Sequence, residues 1–149
     1  MVELHAWITI RESYEDRDDY GDHIDDIVSR IREKSIRTIA EIKAVNGEYF
    51  LIANTFSNHF SSEYDVFFGL VKFICQIAKG SYGLIYLLND EDKNGHENEF
   101  CVYVIKRGKM ELFKDGFLSP FVGMVEDKAY ELELFSSSNN KSINRHSTP

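Results

Sequence analysis

Cysteine and proline are scarce, with two of each in 149 residues. Cys75 and Cys101 lie in apolar runs and lack paired-Cys spacing, which argues against a disulfide-stapled scaffold and a Cys-ligated zinc site; two buried, reduced thiols are the expectation. Long apolar runs are missing too. None approaches the length of a membrane span, and His5, Arg11 and Glu12 interrupt any signal-peptide pattern, so the chain is expected to stay in the cytoplasm. Positive charge is in short supply: 17 Lys and Arg face 25 Asp and Glu, a net charge of −8. Nucleic acid and anionic membrane repel such a surface, so neither is an expected partner, whereas a basic protein is attracted. No glycine-rich phosphate loop and no Gly-x-Ser-x-Gly occur, and His5, His23, His59, His96 and His146 form no metal-binding spacing. Catalytic triads assemble in space rather than in sequence, so missing motifs lower an enzyme reading without closing it. The expectation is no catalytic residue, no metal and no cofactor.

What is present is a generous aromatic content, eleven Phe, eight Tyr and one Trp, enough for one domain with a real core. Glu3 to Arg11 alternates like a strand, with Leu4, Ala6, Ile8 and Ile10 on one side and His5, Trp7, Thr9 and Arg11 on the other. Trp7 therefore shares a face with polar residues, where it either packs under a neighbour or anchors a contact. From about Tyr20 a helix is predicted, its apolar stripe formed by Tyr20, Ile24, Ile27, Val28 and Ile31. Acidic residues crowd its start and Arg30, Arg32 and Lys34 its end, as the helix dipole favours. Residues 36–45 and 48–57 read as two strands joined by Asn46-Gly47, the strongest short hairpin signal. A polar turn with the lone His59 follows, then a largely buried helix over 63–79, capped by Ser61 or Ser62 and stopped by Gly80. Tyr82 to Leu88 is a strongly apolar strand, central in the sheet; an acidic loop leads to strands over 100–106 and 109–113. Ser119-Pro120 breaks any ladder after that, 130–135 reads as a short edge strand, and 136–149 as a disordered polar tail. The order is that of the split βαβ arrangement: an α+β domain over 1–135, with a mixed, mostly antiparallel sheet (a βαββαβ core plus C-terminal strands) and two helices on one face.

Negative charge concentrates in three places. Glu12 to Asp26 holds eight carboxylates, among them Asp16, Asp18 and Asp19; Asp90-Glu91-Asp92 and Glu126-Asp127 end apolar runs. Three readings are open: a plain solvated surface, carboxylates around a metal in a small hydrolase or nuclease, or a patch for a basic partner. Asp90-x-Asp92-x-Asn94-Gly95 also matches the first half of a calcium loop, but Cys101 stands where a bidentate Glu belongs and a strand precedes it in place of a helix. A solvated loop turning at Asn94-Gly95 is the simpler reading.

Three blocks carry a resemblance to a known family. They are His5-Ala6-Trp7-Ile8-Thr9-Ile10-Arg11-Glu12-Ser13; Gly80-Ser81-Tyr82-Gly83-Leu84-Ile85-Tyr86 running on to Asp90-Glu91-Asp92, Gly95 and Glu97-Asn98-Glu99-Phe100; and Asp115, Phe117-Leu118-Ser119-Pro120 and Glu126-Asp127. Together they resemble the immunity protein 7 family of bacterial polymorphic-toxin systems. The resemblance implies a non-enzymatic cytoplasmic antitoxin that binds the C-terminal domain of a cognate toxin, often a nuclease. On that reading Asp90, Glu91, Asp92, Glu126 and Asp127 form part of the toxin-binding face with Trp7 as an aromatic anchor, and Asp16, Asp18 and Asp19 form a second candidate patch.

Overall fold

The computed structural model describes residues 1–13, 23–35 and 39–125. In chain order its elements are β1 (Val2–Ile10), α1 (Ile24–Ser35), β2 (Ala40–Val45), β3 (Glu48–Ser57), α2 (Ser62–Ile77), β4 (Tyr82–Asn89), β5 (Cys101–Lys106), β6 (Lys109–Lys114) and a short helical turn, α3 (Phe121–Met124). The strands form one sheet in the order β2-β3-β1-β4-β5-β6, and every neighbouring pair is antiparallel. The first four strands and two long helices make the split βαβ core, and β5 and β6 widen it beyond β4. The predicted strand over 130–135 and the tail over 136–149 lie outside the described residues.

Local signals set most of this. Asn46 and Gly47 have φ of 51° and 82°, and Arg107 and Gly108 have 52° and 69°. These left-handed pairs turn the two tight hairpins in the sense that matches strand twist. Helix α1 opens on Asp25 and Asp26 and closes on Arg32 and Lys34. Tyr20, predicted at its start, and Ile36, predicted to open β2, lie outside the described residues.

Alternation divides the sheet into two faces. Val2, Leu4, Ala6, Ile8 and Ile10 of β1 are all buried, and with Leu51, Ala53, Ile85 and Ile105 they meet Val28 and Ile31 of α1 and Phe67, Val71 and Ile74 of α2 in one core. Both long helices therefore cover the same face. Each large side chain fully buried there contributes about 1.5–3 kcal/mol. Cys75 belongs to this core while Cys101 is half-buried, and both thiols are free.

Two expectations about α2 change. Ser61 occupies the N-cap position, but its side chain makes no capping bond; its carbonyl accepts from the Tyr64 N–H at 3.1 Å instead. The helix ends at Ile77, before Gly80. Gly80 is required for closeness rather than for stopping a helix: a Cβ there would lie 2.5 Å from the Glu12 carbonyl carbon and 3.0 Å from the Arg11 oxygen. Gly83 is constrained in the same way, since its Cβ would lie 2.6 Å from the Ile8 Cα of the neighbouring strand. Ser81 adds a polar stitch at this junction, accepting from the Arg11 N–H at 3.1 Å. The opening and central blocks thus meet through two glycines and a serine that hold β4 against the end of β1.

Candidate functional site

The acidic loop leaves β4 at the end of the sheet where β1 begins, β3 ends and α2 starts. Its three leading carboxylates have different tasks. Asp90 is exposed and bonded to the Met1 amino group. Glu91 accepts from the His59 ring Nδ1–H across a 2.7 Å contact, and this hydrogen bond is the main reason its carboxyl is held below the ordinary glutamate range. His59, expected to be solvated or capping, ties the loop after β3 to the acidic loop.

Asp92 works inward. Its carboxylate accepts from the Asn94 N–H at 2.7 Å and the His96 N–H at 3.3 Å, with Gly95 between them at φ 88°. Partial burial pushes its carboxyl up, but these bonds together outweigh that and leave it lowered. Oxygens of Asp90 and Asp92 are thus engaged by the chain itself, and the loop turns through Gly95. Among the described residues no group of three or more His, Cys, Asp or Glu is placed to hold a metal ion.

The loop is sewn to the closing segment. The Asn98 side chain accepts from the Val122 N–H at 2.7 Å, and its carbonyl accepts from the Phe121 N–H at 2.8 Å. Ser119 Oγ accepts from the Phe100 N–H at 2.8 Å and donates to Asp115 at 3.0 Å. Asp115 also accepts from the N–H groups of Phe117 (3.1 Å) and Leu118 (2.6 Å); burial alone would raise its carboxyl, and the four hydrogen bonds it receives lower it. The central and closing blocks form one stitched unit, with its carboxylates split between internal staples (Asp92, Asp115) and outward groups (Asp90, Glu91, Glu97). Glu63 and Asp65 in the first turn of α2 add to the charge at this end.

Beneath this unit sits a second, smaller core. Leu88, Phe100 and Val102 are buried outside the main cluster, and the Phe100 ring contacts those of Tyr86 and Phe121, each at 6.0 Å. It occupies the acidic end of the face opposite the helices. Among the described residues, nothing covers the rest of that face. Trp7 stands in its middle, 45% exposed, flanked by Ile52 on β3 and Leu84 on β4 and touching the Tyr82 ring edge-on at 6.2 Å. Neither long helix packs over Trp7. Asp16, Asp18, Asp19, Glu126 and Asp127 lie outside the described residues. Tyr82, Leu84 and Tyr86 stand in the central block of the resemblance but not among its expected toxin-binding residues, and Phe113 stands in neither; the usable signal is that β4 is apolar at nearly every position, the pattern of a strand covered on both faces.

The family model described as immunity protein 7 matches residues 1–127, which takes in all three blocks and everything described of the fold. The chain belongs to the immunity protein 7 family. It is thus an immunity protein, with a toxin as its counterpart. No curated protein and no solved structure matches it. Within the family reading, the Gly80-to-Phe100 block has a divided role: Gly80, Ser81, Gly83, Asp92 and Asn98 build the fold, while Tyr82, Leu84, Tyr86, Asp90 and Glu91 are turned toward the surface or the open face. No helix of the described residues is long and apolar enough to cross a membrane.

Proposed function

We propose that this immunity protein is a non-catalytic, cytoplasmic antitoxin that binds and neutralises the C-terminal domain of a cognate polymorphic toxin, and that this domain is a basic nuclease. The observation that carries the reading is the family match over residues 1–127. The charge supports the choice of target. A nuclease site is basic because it has to hold phosphate, so a chain of net charge −8 is steered to it and competes with its substrate. Asp90 and Glu91, on a loop already ordered by Asp92 and Asn98, meet the toxin with little ordering left to do at binding. Glu126 and Asp127 belong to the same proposed face, and Asp16, Asp18 and Asp19 are a second candidate patch.

Growth rescue tests it. The C-terminal domain of the large toxin-like protein encoded beside this gene is expressed with and without this chain. Rescue by this chain, and not by an unrelated acidic protein, is the expected result; toxicity without rescue overturns the reading. Reversing charge at Asp90 and Glu91, and separately at Asp16, Asp18 and Asp19, then tests the electrostatic part. If neither set slows association or weakens protection, charge does not guide the encounter.

A further inference from the structure

The open face of the sheet is unusual for a surface. Along one cross-strand row Ile52, Trp7, Leu84 and Val104 stand side by side on β3, β1, β4 and β5, and charge returns only at the edge strands, with Glu41 and Glu111. The next row toward the acidic end begins with polar Asn54 and His5 on β3 and β1 and continues with Tyr86, Val102 and Phe113. Trp7, Tyr82 and Phe113 are 45%, 43% and 46% exposed, and Phe56 at the rim is 64% exposed. An antiparallel sheet with one solvated face ordinarily alternates apolar and polar residues; β4 instead presents Tyr82, Leu84, Tyr86 and Leu88 to this side. Only Leu88, at the end of that series, is fully buried, under the closing segment's small core. A contiguous apolar surface of this kind on a folded chain marks an interaction site.

We infer that this face, centred on Trp7, Leu84 and Tyr86, seats the toxin domain, and that the toxin meets it with an apolar patch flanked by lysine or arginine on the side of the acidic loop. The inference rests on the immunity reading and deepens it: the acidic loop is the rim of the contact and the aromatic sheet face is its centre. Charge selects this occupant. The rim at the β4–β5 end carries Asp90, Glu91 and Glu97, while the cations of this face lie away from that rim: Arg11 is paired with Glu48, Lys43 with Glu41, and Lys106 stands beside Lys109 at the opposite end. A second copy of a chain of net charge −8 is repelled where a basic domain is attracted. Apolar, aromatic-rich centres inside polar rims are where binding energy concentrates.

Trp7 is the single tryptophan, so it reports on the face directly. The full chain is labelled with 5-fluorotryptophan, and titrated with the neighbouring-gene toxin domain carrying no label. The expected result is a shift of the single fluorine signal and loss of acrylamide access to the indole. Trp7→Glu and Phe113→Glu each weaken toxin binding by about tenfold or more. Val66→Glu places the same charge at a 48%-exposed site on α2, across the sheet, and leaves affinity within about twofold. Far-ultraviolet circular dichroism checks that each variant is folded. Wild-type affinity in both open-face variants overturns the inference and leaves immunity standing, because the unaltered chain still binds and protects. An indole shielded in the free chain at every concentration assigns the face to another part of the same chain; shielding that grows with concentration assigns it to a second copy. Either result overturns the inference. Failure of the unaltered chain to bind or protect overturns the immunity reading itself, and this inference with it.

Discussion

The two faces of the sheet are built from the same strands and both carry apolar residues, yet among the described residues only one is closed. Behind it, Leu4, Ile8, Leu51 and Ile85 are sealed by Phe67, Val71 and Ile74 of α2 and by Ile31 of α1. In front, Trp7, Tyr82 and Phe113 have neighbours on their own sheet and little above them. The closed face shows how the fold is stabilised. The open face shows where the chain leaves stabilisation unclaimed, and it is the face we infer to seat the toxin. The carboxylates repeat the contrast on a smaller scale: Asp92 and Asp115 face inward and hold loops, while Asp90 and Glu91 line the rim.

The comparison breaks most decisively at the closed face. Phe67→Ala removes a fully buried ring and is expected to cost about 4 kcal/mol, seen as a lower urea midpoint. A loss under about 1 kcal/mol would mean the helices do not seal this face. Next in size is Gly83→Ala. The added methyl runs into the Trp7 and Ile8 backbone, which cannot move without shifting β1, so about 2–3 kcal/mol is expected by the same measurement.

Smaller effects come from the inward carboxylates. Both Asp92 and Asp115 are lowered in the folded chain, so their stabilisation is complete above the ordinary aspartate value of about 4 and is lost as pH falls through their folded values. The double variant Asp92→Asn, Asp115→Asn should be less stable than wild type at pH 7 by about 1–3 kcal/mol, and should lose less than wild type between pH 5 and pH 2 in denaturation titrations. Parallel acid profiles for the two proteins would show that these carboxylates staple nothing. The smallest effect belongs to the open face. Phe56→Ser should alter unfolding free energy by about 0.5 kcal/mol or less, because the ring is already mostly in water. A cost above about 2 kcal/mol would mean that this face is not open in solution.

Sequence by itself determined the elements from β1 to β6 and their order. Alternation in β1, the stripe of α1 and the Asn46-Gly47 turn are local patterns, legible because each reflects the geometry of a few consecutive residues. It also singled out Trp7, the acidic turns and the family. Tertiary structure alone decided what those residues do. Gly80 reads in sequence as a helix stop and proves to be a close approach to the end of β1, about 70 residues away. Asp90, Glu91 and Asp92 are three consecutive acids with three different partners, because the elements beside them come from Met1, His59 and their own loop. The open face depends on the same fact. Trp7, Leu84 and Phe113 are scattered along the chain, and only the placing of β1 between β3 and β4, with both long helices on the opposite side, brings them onto one surface that no other described element covers.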